Sequence, residues 1–352
     1  MTREARPHYA ATGTVPEGGR KMVRISAANL VTKEFLSTCG PLPLVIRPAL
    51  KHVNLIDWAK CNSALIEHDV LKHKTILFRG FDINTAALVE DFAMATSSGG
   101  LLDYRYGSTP RSRIGGGGVY TSTEYPADQT IPFHNEMSYA RTWPMKIWFC
   151  CLEAAPVGGE TPIASSVKVF ERLSTDVKAR FAEHGVMYVR NYGSGLDLSL
   201  QQVFGTSDTA EIEKFCRASH IDYEWRPGGK LRTWQACQAV ATHPRTGQTV
   251  WFNQAHLYHI SSLDQAVSSQ LLSEFGEANL PRNAFYGDGT PIEQGTLDVI
   301  REAYRQEKVL FQWEQGDILM VDNMLVSHGR EPYVGRRRVV VAMAEQWPSS
   351  SF

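Results

Sequence analysis

The chain has 352 residues, and its 36 lysines and arginines against 37 acidic residues leave a formal charge of −1. That balance excludes nucleic acid or an anionic membrane surface as a partner drawn in by bulk charge. No stretch is long and apolar enough to span a bilayer, and the first residues carry no apolar run of the signal-peptide kind. The six cysteines form neither a C-x-x-C pair nor a secreted-type framework. Cys150 and Cys151 sit in an apolar run and read as buried thiols, so the expectation is a reduced, cytoplasmic protein.

In chain order, residues 1–25 are polar and read as a tail. Residues 26–352 are expected to form one domain. Residues 54–71 carry apolar side chains at helical spacing and predict one helix. Residues 74–80 predict a buried strand closed by Gly80, and residues 86–95 a second helix. Residues 104–125 are rich in Gly and Ser. The run Gly115 to Gly118 cannot hold one conformation by itself, and no strand-to-helix context makes it a phosphate loop. A flap beside a site and an ordinary surface loop are equal readings of it.

Residues 145–151 predict an apolar strand. Residues 167–183 read as helix, broken near Ser174 and stopped by Gly185. Residues 186–190 read as strand and 210–218 as helix. Residues 221–253 hold strand-like stretches with a turn at 243–247. Helices are expected over 263–275 and 292–306. Residues 309–313 and 318–321 read as strands flanking a turn, followed by strands ending at His328 and over 339–343. The sum is a mainly β chain with α insertions, a sandwich or jelly roll.

The chemistry starts at Ile131-Pro132-Phe133-His134-Asn135-Glu136. On a strand, side chains two apart share a face, so His134 and Glu136 would meet at one point. Two histidines and one carboxylate on one face of a metal are the donor set of non-haem Fe(II) oxygenases. A lone H-x-E is common by chance, and its bland reading is a satisfied histidine beside a surface glutamate. Three downstream features raise its value. His328 closes an apolar strand and supplies a second imidazole. Thr161 follows Gly158-Gly159-Glu160. Arg336-Arg337-Arg338 enters an apolar strand, where a guanidinium should find an anion.

These pieces, in this order, resemble the Fe(II)- and 2-oxoglutarate-dependent dioxygenases of the taurine dioxygenase/TfdA superfamily. The carrying motifs are "ILFRGF", "PFHNEMSY", "GGETPI" and "GDILMVDNMLVSHGREPYVGRRRVVVAM". The wording around the histidines is most similar to syringomycin-type hydroxylases, which act on amino acids, free or tethered to carrier proteins. The resemblance implies a clavaminate synthase-like double-stranded β-helix and Fe(II) held by His134, Glu136 and His328. It implies 2-oxoglutarate as co-substrate, with Thr161 and an arginine on its far carboxylate. Arg338 is the first choice and Arg336, on the same strand face, the second. It also implies consumption of O2 and release of succinate and CO2. Glu136 argues against halogenation, where chloride takes the carboxylate's place.

A small-molecule substrate is expected, with a carrier protein as a candidate partner. Asn253 and His256 are candidates to line its pocket, and Arg111, Arg113 and Arg330 to meet a substrate carboxylate. His256 and His259 share a helical face, but no H-E-x-x-H pattern supports a metal there. The same cofactors would also serve desaturation, epoxidation or cyclisation. A jelly roll that only binds a metal or a small acid is the non-enzymatic alternative.

Overall fold

The computed structural model describes residues 30–36, 41–104 and 106–349. The tail read at residues 1–25 and Cys39 lie outside the described residues.

The central sheet has seven strands in the order Val31–Phe35, Leu44–Pro48, Thr75–Phe78, Ile318–Asp322, Thr142–Glu153, Arg338–Pro348, Val119–Thr121. Among the described residues, only Leu44–Pro48 and Thr75–Phe78 pair in parallel. The run Thr142–Glu153 is buried along nearly its whole length because both faces of the sheet are covered. Side chains alternate across a strand. Trp148, Cys150 and Leu152 therefore pack with the helices Leu55–Cys61, Ser63–His73 and Ala86–Thr96 on one face. Ile147, Phe149 and Cys151 face the other way.

Against that other face lies a three-stranded sheet in the order Ile131–His134, Val326–Arg330, Ile163–Ser165. Ile163 and Val326 share a core with Ile147 and Phe149, so the two sheets face each other across one apolar interior. A four-stranded sheet, Asp222–Arg226, Lys230–Cys237, Val186–Tyr192 and Arg282–Tyr286, sits to one side. Its core includes Phe181, Val186 and Leu231, and takes in the helix Gln294–Gln306 through Ile300 and Tyr304.

Most expected elements are present, and the departures have local causes. The single helix expected over 54–71 is two. Asn62 leaves helical dihedrals and donates its Nδ2 to the Trp58 carbonyl, closing the first helix before the second begins. The break at Ser174 is real, since its side chain caps the helix Thr175–His184. Gly185, at φ +69°, ends that helix. Residues 309–313 are not a strand beyond a single bridge from Val309 to Ile163. The Gln312 carbonyl is taken by Arg79 Nη2 at 2.6 Å instead of by a neighbouring strand.

No helix among the described residues is long and apolar enough to cross a membrane. Cys150, Cys151, Cys216 and Cys237 are buried free thiols. Burial holds all four well above the ordinary thiol range, so they are inert rather than reactive.

Candidate active site

Two residues 194 positions apart in sequence meet because of strand register. His134 and His328 are direct partners in the antiparallel pairing of Ile131–His134 with Val326–Arg330. Directly opposed residues project to the same face, and the two imidazole centroids lie 4.5 Å apart.

Glu136 arrives by another route. The strand ends at His134, so alternation along a strand does not place the carboxylate. Glu136 lies in a turn held by Asn323, which comes from the chain just before His328. Asn323 Oδ1 accepts from the Glu136 N–H at 2.8 Å, and its Nδ2 donates to the Glu136 carbonyl at 2.9 Å. The same Nδ2 reaches the Pro144 carbonyl at 2.8 Å. Asn135 Nδ2 in turn donates to the Asn323 carbonyl at 2.6 Å. The turn is thus fixed by the segment that leads to the second histidine. One ring nitrogen from each histidine and one carboxylate oxygen all fall within 4.8 Å of one another. Replacing Asn323 by Ala is expected to strand two backbone groups of this turn and weaken divalent-metal affinity about 10- to 100-fold, as for other residues that orient ligands. Titration with Mn(II) under anaerobic conditions measures it.

The electrostatics suit a divalent cation. His134 Nδ1 lies 2.9 Å from the Pro132 carbonyl and must be the donor, which leaves Nε2 with a free lone pair. Both ring nitrogens of His328 are buried without a partner. Burial lowers the pKa of both imidazoles, for His328 well below its ordinary value, with His134 adding to the effect there. Two neutral imidazoles and a carboxylate are therefore gathered in one dry place. A buried imidazole with no partner on either nitrogen is costly unless something ligates it. The donor set fits Fe(II).

A second cluster adjoins the first. Thr161 is buried, and its Oγ1 accepts from Trp313 Nε1 at 3.1 Å and lies 3.5 Å from Arg337 Nη2. Arg337 Nε donates to the Gly159 carbonyl at 2.8 Å. Both glycines before Thr161 are required. A Cβ on Gly158 would stand 2.2 Å from the Pro332 carbonyl oxygen, and one on Gly159 2.9 Å from Arg337 Cδ. The expected arginines, Arg338 and Arg336, are exposed, and neither lines the cavity that Arg337 lines. A register shift between Arg338 and Val339 and the turn at Gly335, φ +89°, set which side chain turns inward. Val339, Val341 and Met343 face the interior, and Arg337 joins their side. Burial pushes the Arg337 guanidinium down to about 10, with nearby Arg330 adding to the effect. No carboxylate pairs with it among the described residues. This is a half-buried cation that lacks an anion among the described residues.

A family model described as "Taurine catabolism dioxygenase TauD, TfdA family" matches residues 40–343. The chain belongs to that family. It is an Fe(II)- and 2-oxoglutarate-dependent oxygenase that consumes O2. The chain is 39% identical over 321 residues to the dapdiamide synthesis protein DdaC of Enterobacter agglomerans, covering 87% of this chain and 96% of that one. It is 32% identical over 295 residues to a clavaminate synthase-like protein of Arabidopsis thaliana, covering 79% and 84%. Its fold is similar to the solved structure of PvcB, described as an Fe, alpha-ketoglutarate dependent oxygenase from an isonitrile synthetic pathway. The TM-score is 0.52 at 14% identity, over 92% of this chain and 94% of that one.

In this TauD/TfdA enzyme a small cavity of about 30 Å³ joins the two clusters, lined by Arg111, His134, Thr161, His328 and Arg337 among others. That is room for a water or two against the wall the two clusters share. Arg111 belongs to the segment over 106–125, which supplies one side of that wall.

Of the residues expected to face substrate, Asn253 and His256 are held by contacts within the framework. Asn253 spends its Nδ2 on the Ala239 carbonyl at 2.9 Å and its Oδ1 on the Ala255 N–H at 3.0 Å. His256 Nε2 donates to the Phe133 carbonyl at 2.9 Å, and its ring packs on Tyr304 at 4.7 Å. Neither lines the cavity. Arg330 does line it, but its Nη atoms are spent on the carbonyls of Tyr125, Pro126 and Gln129. Arg113 pairs with Asp103 at the surface.

Burial pushes the His256 imidazole down to about 3. Its folded pKa is therefore depressed below the unfolded value of roughly 6.5. The neutral form stabilises the fold above roughly pH 6.5, and that stability drains away as the pH falls toward 3. At pH 5 the loss is on the order of 2 kcal/mol. Urea denaturation of the wild type is expected to weaken over this window, and His256→Gln to flatten the slope.

Proposed function

We propose that His134, Glu136 and His328 hold Fe(II) and that Thr161 and Arg337 receive the far carboxylate of 2-oxoglutarate. The reaction we infer is hydroxylation of an unactivated C–H bond in an amino acid or amino-acid derivative, free or carried on a protein. The observation that carries the reading is the pairing of a three-donor cluster with a half-buried arginine that has no counter-anion among the described residues, one small cavity apart. Iron, when bound, supplies the redox chemistry that couples O2 and the decarboxylation of 2-oxoglutarate to oxidation of the substrate.

The protein's part is geometry and dryness. The paired strands set the two imidazoles side by side, and Asn323 aims Glu136 between them. The Pro132 carbonyl fixes the His134 tautomer, so that Nε2 is the ligating atom. Arg337, held at Nε by Gly159, keeps Nη atoms for the co-substrate, and Thr161 adds a hydroxyl beside them. Phe149, packed on His328 at 4.8 Å between ring centroids, excludes water from the imidazole. The interior that these residues share is read as the inside of a double-stranded β-helix.

The amino-acid reading rests on the likeness of the H-x-E and distal-histidine segments to hydroxylases of that kind. The relative whose name places it in dapdiamide synthesis supports a role in natural-product formation. The test is a screen of amino acids, free and carrier-bound, for substrate-dependent succinate release, followed by mass analysis. A gain of one oxygen supports hydroxylation of a saturated substrate. A loss of two hydrogens assigns desaturation or cyclisation instead, and addition of oxygen across a double bond assigns epoxidation.

A further inference from the structure

Arg111 is in the site but not where a substrate anchor needs to be free. Its side chain is 2% exposed and that of Glu136 5%. Nη2 donates to Glu136 Oε2 at 2.5 Å. The guanidinium carbon lies 4.7 Å from the centroid of the Tyr104 ring, whose face supports the cation. Nε and Nη1 are buried without partners. The one strong contact this buried arginine makes is to one oxygen of one carboxylate.

That carboxylate has two oxygens, and a metal can take one or both. On the reading of Glu136 as an iron ligand, the count matters. Iron held by the two imidazoles and one carboxylate oxygen would have three of six places filled, and the 2-oxo acid end of 2-oxoglutarate would fill two more. One place remains. Were Glu136 to chelate through both oxygens, that place would be gone and O2 would have no position. Oε2 is already engaged by a cation in a charge-assisted bond, which leaves Oε1 as the free donor.

We propose that Arg111 is a positioning residue that keeps Glu136 a one-oxygen ligand and so holds a coordination place open. This rests on the reading of Glu136 as a ligand. It reassigns Arg111 from the substrate to the carboxylate, and it ties the segment over 106–125 to the metal centre through one ion pair. Arg111 needs only one nitrogen at Oε2, so a lysine ammonium can stand in for it at this contact, whereas a neutral amide supplies a hydrogen bond without the charge.

The test uses the full chain under anaerobic conditions with Co(II) alone and then with 2-oxoglutarate added. Arg111→Gln removes a positive charge beside the site and frees Oε2 as a second donor, so it is expected to bind Co(II) more tightly than wild type. Its visible Co(II) absorption is expected to fall in intensity relative to wild type, the sign of an added ligand oxygen. Arg111→Lys is expected to restore both. A second measurement needs no variant fold. On adding Mn(II) to the wild type, the infrared difference spectrum should show the wide separation of carboxylate stretches that marks one-oxygen binding, and a narrow separation overturns the proposal. Unchanged affinity and spectrum in Arg111→Gln, with binding lost in His134→Ala, also overturns it while leaving the triad standing. Wild-type binding in His134→Ala removes the triad reading itself.

Discussion

His328→Ala is expected to abolish iron-dependent release of succinate and to weaken Mn(II) binding by more than the roughly 10- to 100-fold that outer, ligand-orienting residues cost. The variant is the cleanest of the three ligand deletions because His328 has no hydrogen-bond partner to strand. Removing Glu136 is different. Glu136→Ala leaves the buried Arg111 without its counter-charge, at about 3–5 kcal/mol. Metal-free urea denaturation should therefore separate the two. Glu136→Ala loses metal and stability together. His328→Ala loses the metal and, beyond the modest packing loss against Phe149, keeps the fold. Succinate formation at the wild-type rate in His328→Ala would remove that histidine from the site.

Arg337→Ala is expected to raise the KM for 2-oxoglutarate about 30- to 150-fold. That corresponds to roughly 2–3 kcal/mol of charge-assisted hydrogen bonding to the far carboxylate. Arg338→Ala and Arg336→Ala, both at exposed positions, should leave KM within experimental scatter. Arg337→Lys is expected to recover little, because the Nε bond to the Gly159 carbonyl is lost and an ammonium cannot present two parallel donors. Metal-free stability should not fall in Arg337→Ala. The wild-type guanidinium is partly buried with no carboxylate paired to it among the described residues, so the desolvation it sheds offsets the lost bond to the Gly159 carbonyl. A KM effect from Arg338→Ala, with none from Arg337→Ala, would return the assignment to the exposed residue.

The site was legible where its chemistry lies in residue identity and hidden where it depends on register. His134, Glu136 and His328 stand out because H-x-E and a distal histidine closing an apolar strand are readable as letters. The reason they converge is not readable. Two strands far apart in sequence must pair so that His134 faces His328, and Glu136 needs a turn, not a strand. Asn323 carries no local signal of its role, since it acts through backbone groups 187 residues away. The placement of Arg337, rather than Arg338 or Arg336, beside Thr161 was hidden for a physical reason. The run after it, Val339 to Met343, is apolar on both faces because helices cover one side and the interior the other. Alternation, the usual guide to which side chain points inward, is therefore invisible there. Residues 309–313 alternate like a strand, yet Phe311 and Trp313 are buried from an irregular segment whose Gln312 carbonyl is taken by Arg79. The helices, whose spacing and caps are local, were placed closely, apart from the break that Asn62 makes through its own side chain.

One Fe(II) and one 2-oxoglutarate are expected to share the space between His134, Glu136, His328 and Arg337. Anaerobic titration with both, followed in the visible, tests it most directly through the weak charge-transfer absorption of iron chelated by a 2-oxo acid. The wild type should develop this band and saturate at one equivalent of each. Arg337→Ala should need far more 2-oxoglutarate to reach it, and His328→Ala should show none. A wild type that develops no band, or a His328→Ala variant that develops the same one, would rule out a shared site for iron and 2-oxoglutarate at these residues.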